Sequence, residues 1–263
     1  MTHKIYWVFL LLVLTCLGGC GGGLKVKSYA PTPERGDVIS GRIVKPEGDG
    51  PFPGVIILHG CSGVNDLDYS WARRLKDWGY ASLVLDSHGP RAIFNNCTKR
   101  KITKLERALD AHAAKVQFGE LPFVDRNRIG VIGFSEGGGT ILEAIRPNLV
   151  KYSLPEGSRD PFKAAVAFYP HCYGAGDSNT NLMILIGEKD DWTPAQLCMD
   201  NLPTAVKPED EVLIEIYPGA YHSFDYQKPL RDYLGYRLGY DSNAMADAVP
   251  RTKAFLDKHL KYE

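Results

Sequence analysis

The sequence predicts one α/β domain, a mostly parallel sheet with helices on both faces. Two observations carry this. Short apolar, β-branched runs alternate along the chain with segments of helical spacing, and crossovers of that length join parallel strands. At 263 residues with 44% hydrophobic content, the chain can bury one substantial core, which favours one domain over two.

Val38 to Val44 and Val55 to Leu58 read as strands, separated by a Pro/Gly-rich turn from Pro46 to Gly54. Leu67 to Trp78 has Trp71, Leu75 and Trp78 on one helical face and ends at Gly79. A strand at Ala81 to Leu85, a helix near Leu105 to Phe118 and a strand at Ile129 to Phe134 follow. After a helix that begins just past Ser135 come strands at Ala164 to Phe168, Leu182 to Ile186 and Val212 to Tyr217. Ala244 to Leu260 closes the domain as a helix that Pro250 is expected to kink.

Lys+Arg and Asp+Glu balance at 31 each, so no long-range field favours nucleic acid or an anionic membrane. No H-E-x-x-H, C-x-x-C or EF-hand pattern occurs, and no G-x-G-x-x-G or P-loop follows a first strand. Neither a metal nor another cofactor is expected.

Gly133-Phe134-Ser135-Glu136-Gly137 is a G-x-S-x-G pattern at the end of an apolar strand. Small residues flank such a serine because the strand-to-helix turn brings backbones too close for side chains. The turn exposes the hydroxyl above a helix N-terminus, where unpaired N–H groups favour negative charge. Three small residues around a serine also occur in ordinary turns, so partners decide the reading. The strand at Leu182 to Ile186 delivers Asp190 and Asp191, and that at Val212 to Tyr217 delivers His222. Each follows a strand's C-terminal end, and the order Ser, Asp, His is that of α/β-hydrolases.

Acyl transfer also needs two donors for an oxyanion. One is the N–H of Glu136, after the nucleophile, and the other comes from the loop His59-Gly60-Cys61-Ser62-Gly63, where Cys61 is the candidate. His59 is expected to hydrogen-bond loop backbone rather than act as a base. The Glu136 side chain is expected to point away from the site.

Before this domain lies a different segment. A short basic start, an apolar stretch from Ile5 to Leu17 and Leu17-Gly18-Gly19-Cys20 read as an export signal over residues 1–20. That stretch is short for a membrane span, which needs about 20 residues. L-G-G-C resembles a bacterial lipobox, which makes Cys20 the lipidated residue and the membrane, through that lipid, a partner. The protein is then expected in the cell envelope, facing periplasm or exterior. Residues 21–34 read as a flexible Gly-rich tether and 35–263 as the folded domain.

H-G-C-S-G, L-D-S-H-G-P-R, D-R-N-R-I-G-V-I-G-F-S-E-G-G, G-E-K-D-D-W-T-P and Y-P-G-A-Y-H-S-F-D together resemble the dienelactone hydrolase family of α/β-hydrolases. The resemblance runs from about Val38 to Leu260. It implies Ser135 as nucleophile, Asp190 as the acid four residues before Pro194, and His222 as base. The family's namesake enzymes carry cysteine where this chain has serine, which shifts the expectation from dienelactones to small-molecule esters in general. A peptidase, a thioesterase or a non-catalytic binding lipoprotein on the same fold are the other readings. Asp191 is the rival acid, and His171 and His88 are rival bases.

The resemblance also implies that an arginine near Arg91 meets a substrate carboxylate; the other reading pairs Arg91 with a local acid. Four cysteines remain after Cys16 and Cys20, an even set in a compartment where disulfides persist. In the hydrolase strand order Cys61 and Cys97 follow neighbouring strands, while Cys172 and Cys198 bracket the strand bearing the acid. This favours Cys61 with Cys97 and Cys172 with Cys198, against free buried thiols. The Tyr- and Gly-rich stretch from Tyr226 to Tyr240 is either a lid or a packed surface loop.

Overall fold

The computed structural model describes residues 22–30 and 37–261. Its strands are β1 (Gly23–Lys27), β2 (Val38–Val44), β3 (Phe52–Leu58), β4 (Ala81–Asp86), β5 (Val124–Phe134), β6 (Ala164–Phe168), β7 (Asn181–Gly187) and β8 (Val212–Tyr217), with a small pair β9 (Arg231–Tyr233) and β10 (Tyr236–Leu238). Its helices are α1 (Asp66–Asp77), α2 (Lys104–Gly119), α3 (Glu136–Ala144), α4 (Pro147–Ser153), α5 (Ala195–Asp200) and α6 (Ser242–Leu260). The first eight strands form one sheet in the order β1-β2-β4-β3-β5-β6-β7-β8. From β4 to β8 all pairings are parallel, whereas β2 runs antiparallel to both neighbours.

The central strands are buried on both faces, so they read as continuous apolar runs rather than alternating ones. β6, Ala-Ala-Val-Ala-Phe, is buried at every position. Helices surround the sheet: α1 packs on β3 and β4, α2 and α3 pack on each other and on β5, and α6 lies along β5 to β7. Helix starts follow their capping residues. Asn65 and Thr103 accept from the first turns of α1 and α2, and Asp68 and Glu106 complete both capping boxes. Pro250 sits inside α6, which continues through it.

The boundary at residue 35 needs correction, because part of the expected tether is sheet. Gly23–Lys27 pairs antiparallel with β2, and Val26 is fully buried. Leu24 and Val26 alternate with Lys25 and Lys27, the two-residue period of a strand with one buried face. Three preceding glycines masked that signal. The signal and lipobox expectations, with Cys20, lie outside the described residues, as do residues 21 and 31–34 of the tether.

Register brings the functional loops to one rim. Leu58 of β3 lies beside Leu85 of β4 and Gly133 of β5. The loops that follow these three strands therefore leave the sheet side by side, with those after β7 and β8 farther along the same edge.

Candidate functional site

Ser135 sits between β5 and α3 with φ 53 and ψ −112, a left-handed backbone that a non-glycine residue adopts only under constraint. Its neighbours explain the flanking glycines. A Cβ at Gly137 would lie 2.1 Å from the Leu58 carbonyl oxygen, and one at Gly133 would lie 2.5 Å from that of Gly137. The turn closes only if both stay bare.

Three residues predicted from sequence meet here. Ser135 Oγ lies 2.9 Å from His222 Nε2, and His222 Nδ1 lies 2.7 Å from Asp190 Oδ2. His222 and Asp190 are buried, at 1% and 3% exposure. The Asp190 carboxylate also accepts the N–H groups of Trp192 and Thr193 at 3.0 and 2.8 Å, and the Thr193 hydroxyl at 2.9 Å. With one acceptor so held, Nδ1 of the ring donates to Asp190 and Nε2 keeps its lone pair toward the serine.

The rivals go elsewhere. Asp191 accepts the N–H of Arg237 at 3.0 Å and so helps hold the β9–β10 pair. His88 is buried edge-on to His59, and burial lowers its pKa to about 3. His171 is depressed too, first by partial burial and then by Lys104 and Arg100.

Around the first strand end, the loop reading of His59 is borne out: its Nδ1 lies 2.7 Å from the Gly60 carbonyl oxygen. Burial, then Arg107 and His88, push its pKa well below the ordinary value. Disulfides join Cys61 to Cys97 and Cys172 to Cys198. Among the described residues, neither the Cys61 N–H nor the Glu136 N–H has a hydrogen-bond acceptor. The Glu136 carboxylate is taken up by Arg107 Nη1 at 2.8 Å and Asn96 Nδ2 at 2.5 Å.

Arg91 does not serve as a substrate fork. Its guanidinium is buried and already bidentate on Asp110, at 2.6 and 2.8 Å, and it donates to the Ser87 carbonyl. The partner comes from the middle of α2, which only the tertiary fold brings under this loop.

Several site residues had no sequence assignment. Trp192 lies 5.2 Å from the His222 ring and stacks on Tyr236 at 4.9 Å, with Tyr233 at 5.9 Å. The Tyr226 to Tyr240 stretch therefore forms an aromatic wall beside the histidine, tied across by Asn95 Nδ2 donating to the Tyr233 hydroxyl at 3.2 Å. Behind the ring, Tyr169 packs edge-on to His222 and donates to Asp225, which also accepts from Trp71 Nε1. Burial raises the Asp225 pKa to about 6 against those two donors. The H-S-F-D run carried a signal for Asp225; Arg107, in the first turn of α2, offered none.

A mostly parallel sheet with helices around it and a half-buried serine on a tight turn after the fifth strand defines an α/β-hydrolase. Within that class the chain belongs to the dienelactone hydrolase family, whose model matches residues 39–260. It is 34% identical over 103 residues to the esterase FrsA of Escherichia fergusonii, a match spanning 39% of this chain and only 24% of that protein. A Bradyrhizobium protein described as a probable 2-oxo-3-(5-oxofuran-2-ylidene)propanoate lactonase is 22% identical over 227 residues, covering 83% of this chain and 88% of its own. In structure the chain resembles the dienelactone hydrolase-like promiscuous phosphotriesterase P91 from metagenomic libraries, with TM-score 0.67, 22% identity, and 92% and 99% coverage. The family and these relatives support a hydrolase acting on esters or lactones.

Proposed function

We propose that the protein hydrolyses small carboxylic esters, lactones among them, through an acyl-enzyme on Ser135. The observation that carries this reading is the unbroken series Ser135 Oγ, His222 Nε2, His222 Nδ1, Asp190 Oδ2, at 2.9 and 2.7 Å. Ser135 Oγ attacks the carbonyl carbon while its proton passes to His222 Nε2. Asp190 holds the ring's tautomer and stabilises the imidazolium. The tetrahedral oxyanion is received by the N–H groups of Cys61 and Glu136, each worth roughly 2.7–4 kcal/mol of barrier. Collapse breaks the bond to the alkoxy oxygen, which leaves with the proton from His222. Water, deprotonated by the same nitrogen, then attacks the acyl carbon, releasing the acid and returning a proton to Ser135.

A fluorophosphonate probe should label the wild-type protein at Ser135 and leave Ser135→Ala unlabelled. Folded wild-type protein that takes no label would overturn the assignment in favour of a non-catalytic binder. A panel of p-nitrophenyl esters, lactones, thioesters and peptides should rank oxygen esters and lactones first.

We also propose that the chain is exported and held in a bacterial cell envelope by a lipid on Cys20. The basic start, the apolar stretch and L-G-G-C support this. β1 begins at Gly23, so such an anchor would keep the body against the membrane with almost no tether. Metabolic labelling with a palmitate analogue should mark wild-type protein and fail in Cys20→Ala.

A further inference from the structure

We propose that Arg107 and Asn96 are positioning residues that set the two oxyanion donors in register, a role resting on the acyl-enzyme reading above. The two donors belong to loops that follow different strands, β3 and β5, and their N–H groups must converge on one oxygen. A misplacement of about 1 Å at such a site is worth about 10²-fold in rate. Hydrogen bonds between the Cys61 and Glu136 backbones do not set that distance. It is set by two residues from a third region, the loop after β4 and the first turns of α2.

One guanidinium reaches both loops. Arg107 Nη2 donates to the His59 carbonyl at 2.6 Å, and Nη1 donates to Glu136 Oε2 at 2.8 Å. Asn96 makes a second crossing. Its backbone N–H donates to the Cys61 carbonyl at 2.8 Å, and its Nδ2 donates to Glu136 Oε1 at 2.5 Å. Asn96 is itself fixed, with Oδ1 accepting from Lys101 N at 2.7 Å and Cys97 beside it bonded to Cys61.

The loop peptides are pinned in sequence as a result. His59 O is held by Arg107, Gly60 O by His59 Nδ1 at 2.7 Å and Gly63 N at 3.2 Å, and Cys61 O by Asn96. In a trans peptide the N–H points opposite to the C=O of the same plane. Fixing Gly60 O therefore aims the Cys61 N–H. On the other loop, the grip on the Glu136 carboxylate turns its charge away from Ser135 and ties the first residue of α3 to the same two side chains. Arg107 suits this because its planar fork offers separate donors in fixed directions, which a lysine cannot.

Arg107→Met, Arg107→Lys, Asn96→Ala and the double variant Arg107→Met with Glu136→Gln test the role. The double variant removes the carboxylate that the single change strands in a buried site. For each, the active fraction is counted by fluorophosphonate titration, and kcat, KM and the inhibition constant of an aryl trifluoromethyl ketone are measured. The ketone forms a tetrahedral oxyanion on the serine and so reports the donors directly. Arg107→Met should lower kcat per labelled site about 10²-fold, with KM changed less than about threefold, and should weaken the ketone by a similar factor. Arg107→Lys should recover a part of both, Asn96→Ala should lose about 10-fold, and the double variant should regain thermal stability but not kcat. Unchanged kcat per labelled site in the folded double variant, or a loss confined to the labelled fraction, would overturn the proposal. Full activity in Ser135→Ala would instead overturn the acyl-enzyme reading beneath it, so the two failures are distinct.

Discussion

The two sides of the serine are built by opposite means. On the side of β3 and β4, the loops are fixed by a covalent bond and buried charge: Cys61 bonded to Cys97, and Arg107 against Glu136. On the side of β7 and β8, the histidine lies among rings, with Trp192 and Tyr169 beside it and Tyr236 stacked on Trp192. Directional bonds fix peptide planes to tenths of an ångström, which is what backbone donors need. Aromatic packing supplies area and shape. On the proposed mechanism the first side aims the oxyanion donors, while the second holds the acid and base and sets an aromatic wall beside them.

The largest effect should come from the acid on the second side. Asp190→Asn should cost about 10⁴-fold in kcat while thermal stability changes little, because the amide can steer the ring into the wrong tautomer. Steady-state kinetics per labelled site would check this, and a loss below tenfold would make Asp190 a structural residue.

The disulfides sharpen the comparison directly. Their sequence separations, 36 and 26, give roughly 3–4 kcal/mol of stabilisation each in the chain-entropy model. Cys61→Ser with Cys97→Ser and Cys172→Ser with Cys198→Ser should thus lower the urea midpoint to similar extents. Only the first pair should also lower kcat, by 10-fold or more, since only that bond holds a proposed donor loop. Equal kcat in both would erase the distinction between the two sides.

A smaller change is expected at the wall. Trp192→Ala should raise KM for aryl esters about 10-fold and leave kcat for acetyl esters within threefold, as one aromatic contact contributes about 1 kcal/mol beyond area burial. An ester panel would read it.

The smallest effect concerns pH. His112 is buried, its Nε2 donates to the Ala144 carbonyl at 2.8 Å, and burial lowers its pKa to about 4. The unfolded chain takes up a proton near pH 6.5, where the folded protein does not. The contribution is therefore complete above pH 6.5 and is lost as pH falls toward 4. His112→Gln should show a urea midpoint that drops less between pH 7 and pH 4.5 than that of wild type. Asp68 and Asp225, raised by burial to about 7 and about 6, act in the opposite sense in both proteins and cancel in the difference.

Much of the acid and base side was legible because its parts are close in sequence to strand ends. Asp190 follows β7 and His222 follows β8, and both motifs stand at the rim where a parallel sheet exposes its loops. The disulfide expectations agree with the structure for the same reason, since strand order makes the relevant loops neighbours. Arg91 and Arg107 show where this stops. Both are arginines near the rim, yet one grips Asp110 below the loop and the other joins two loops above α2. Nothing local separates them, because a guanidinium's partner is chosen by which helix passes beneath it. The strand in the expected tether escapes sequence reading for a related reason: β1 is short, starts after glycines and gains its strand character from pairing with β2.

The sequence alone determined the fold class and the elbow and pointed to Ser135, Asp190 and His222 at strand ends, because strand periodicity and the steric demand for bare glycines are local properties of the chain. Tertiary structure alone decided where the buried guanidinia point, how the donor loop is held and that the Tyr-rich stretch becomes a wall. Those outcomes depend on distances between segments far apart in sequence, and long side chains take whatever acceptor the packed helices bring within reach.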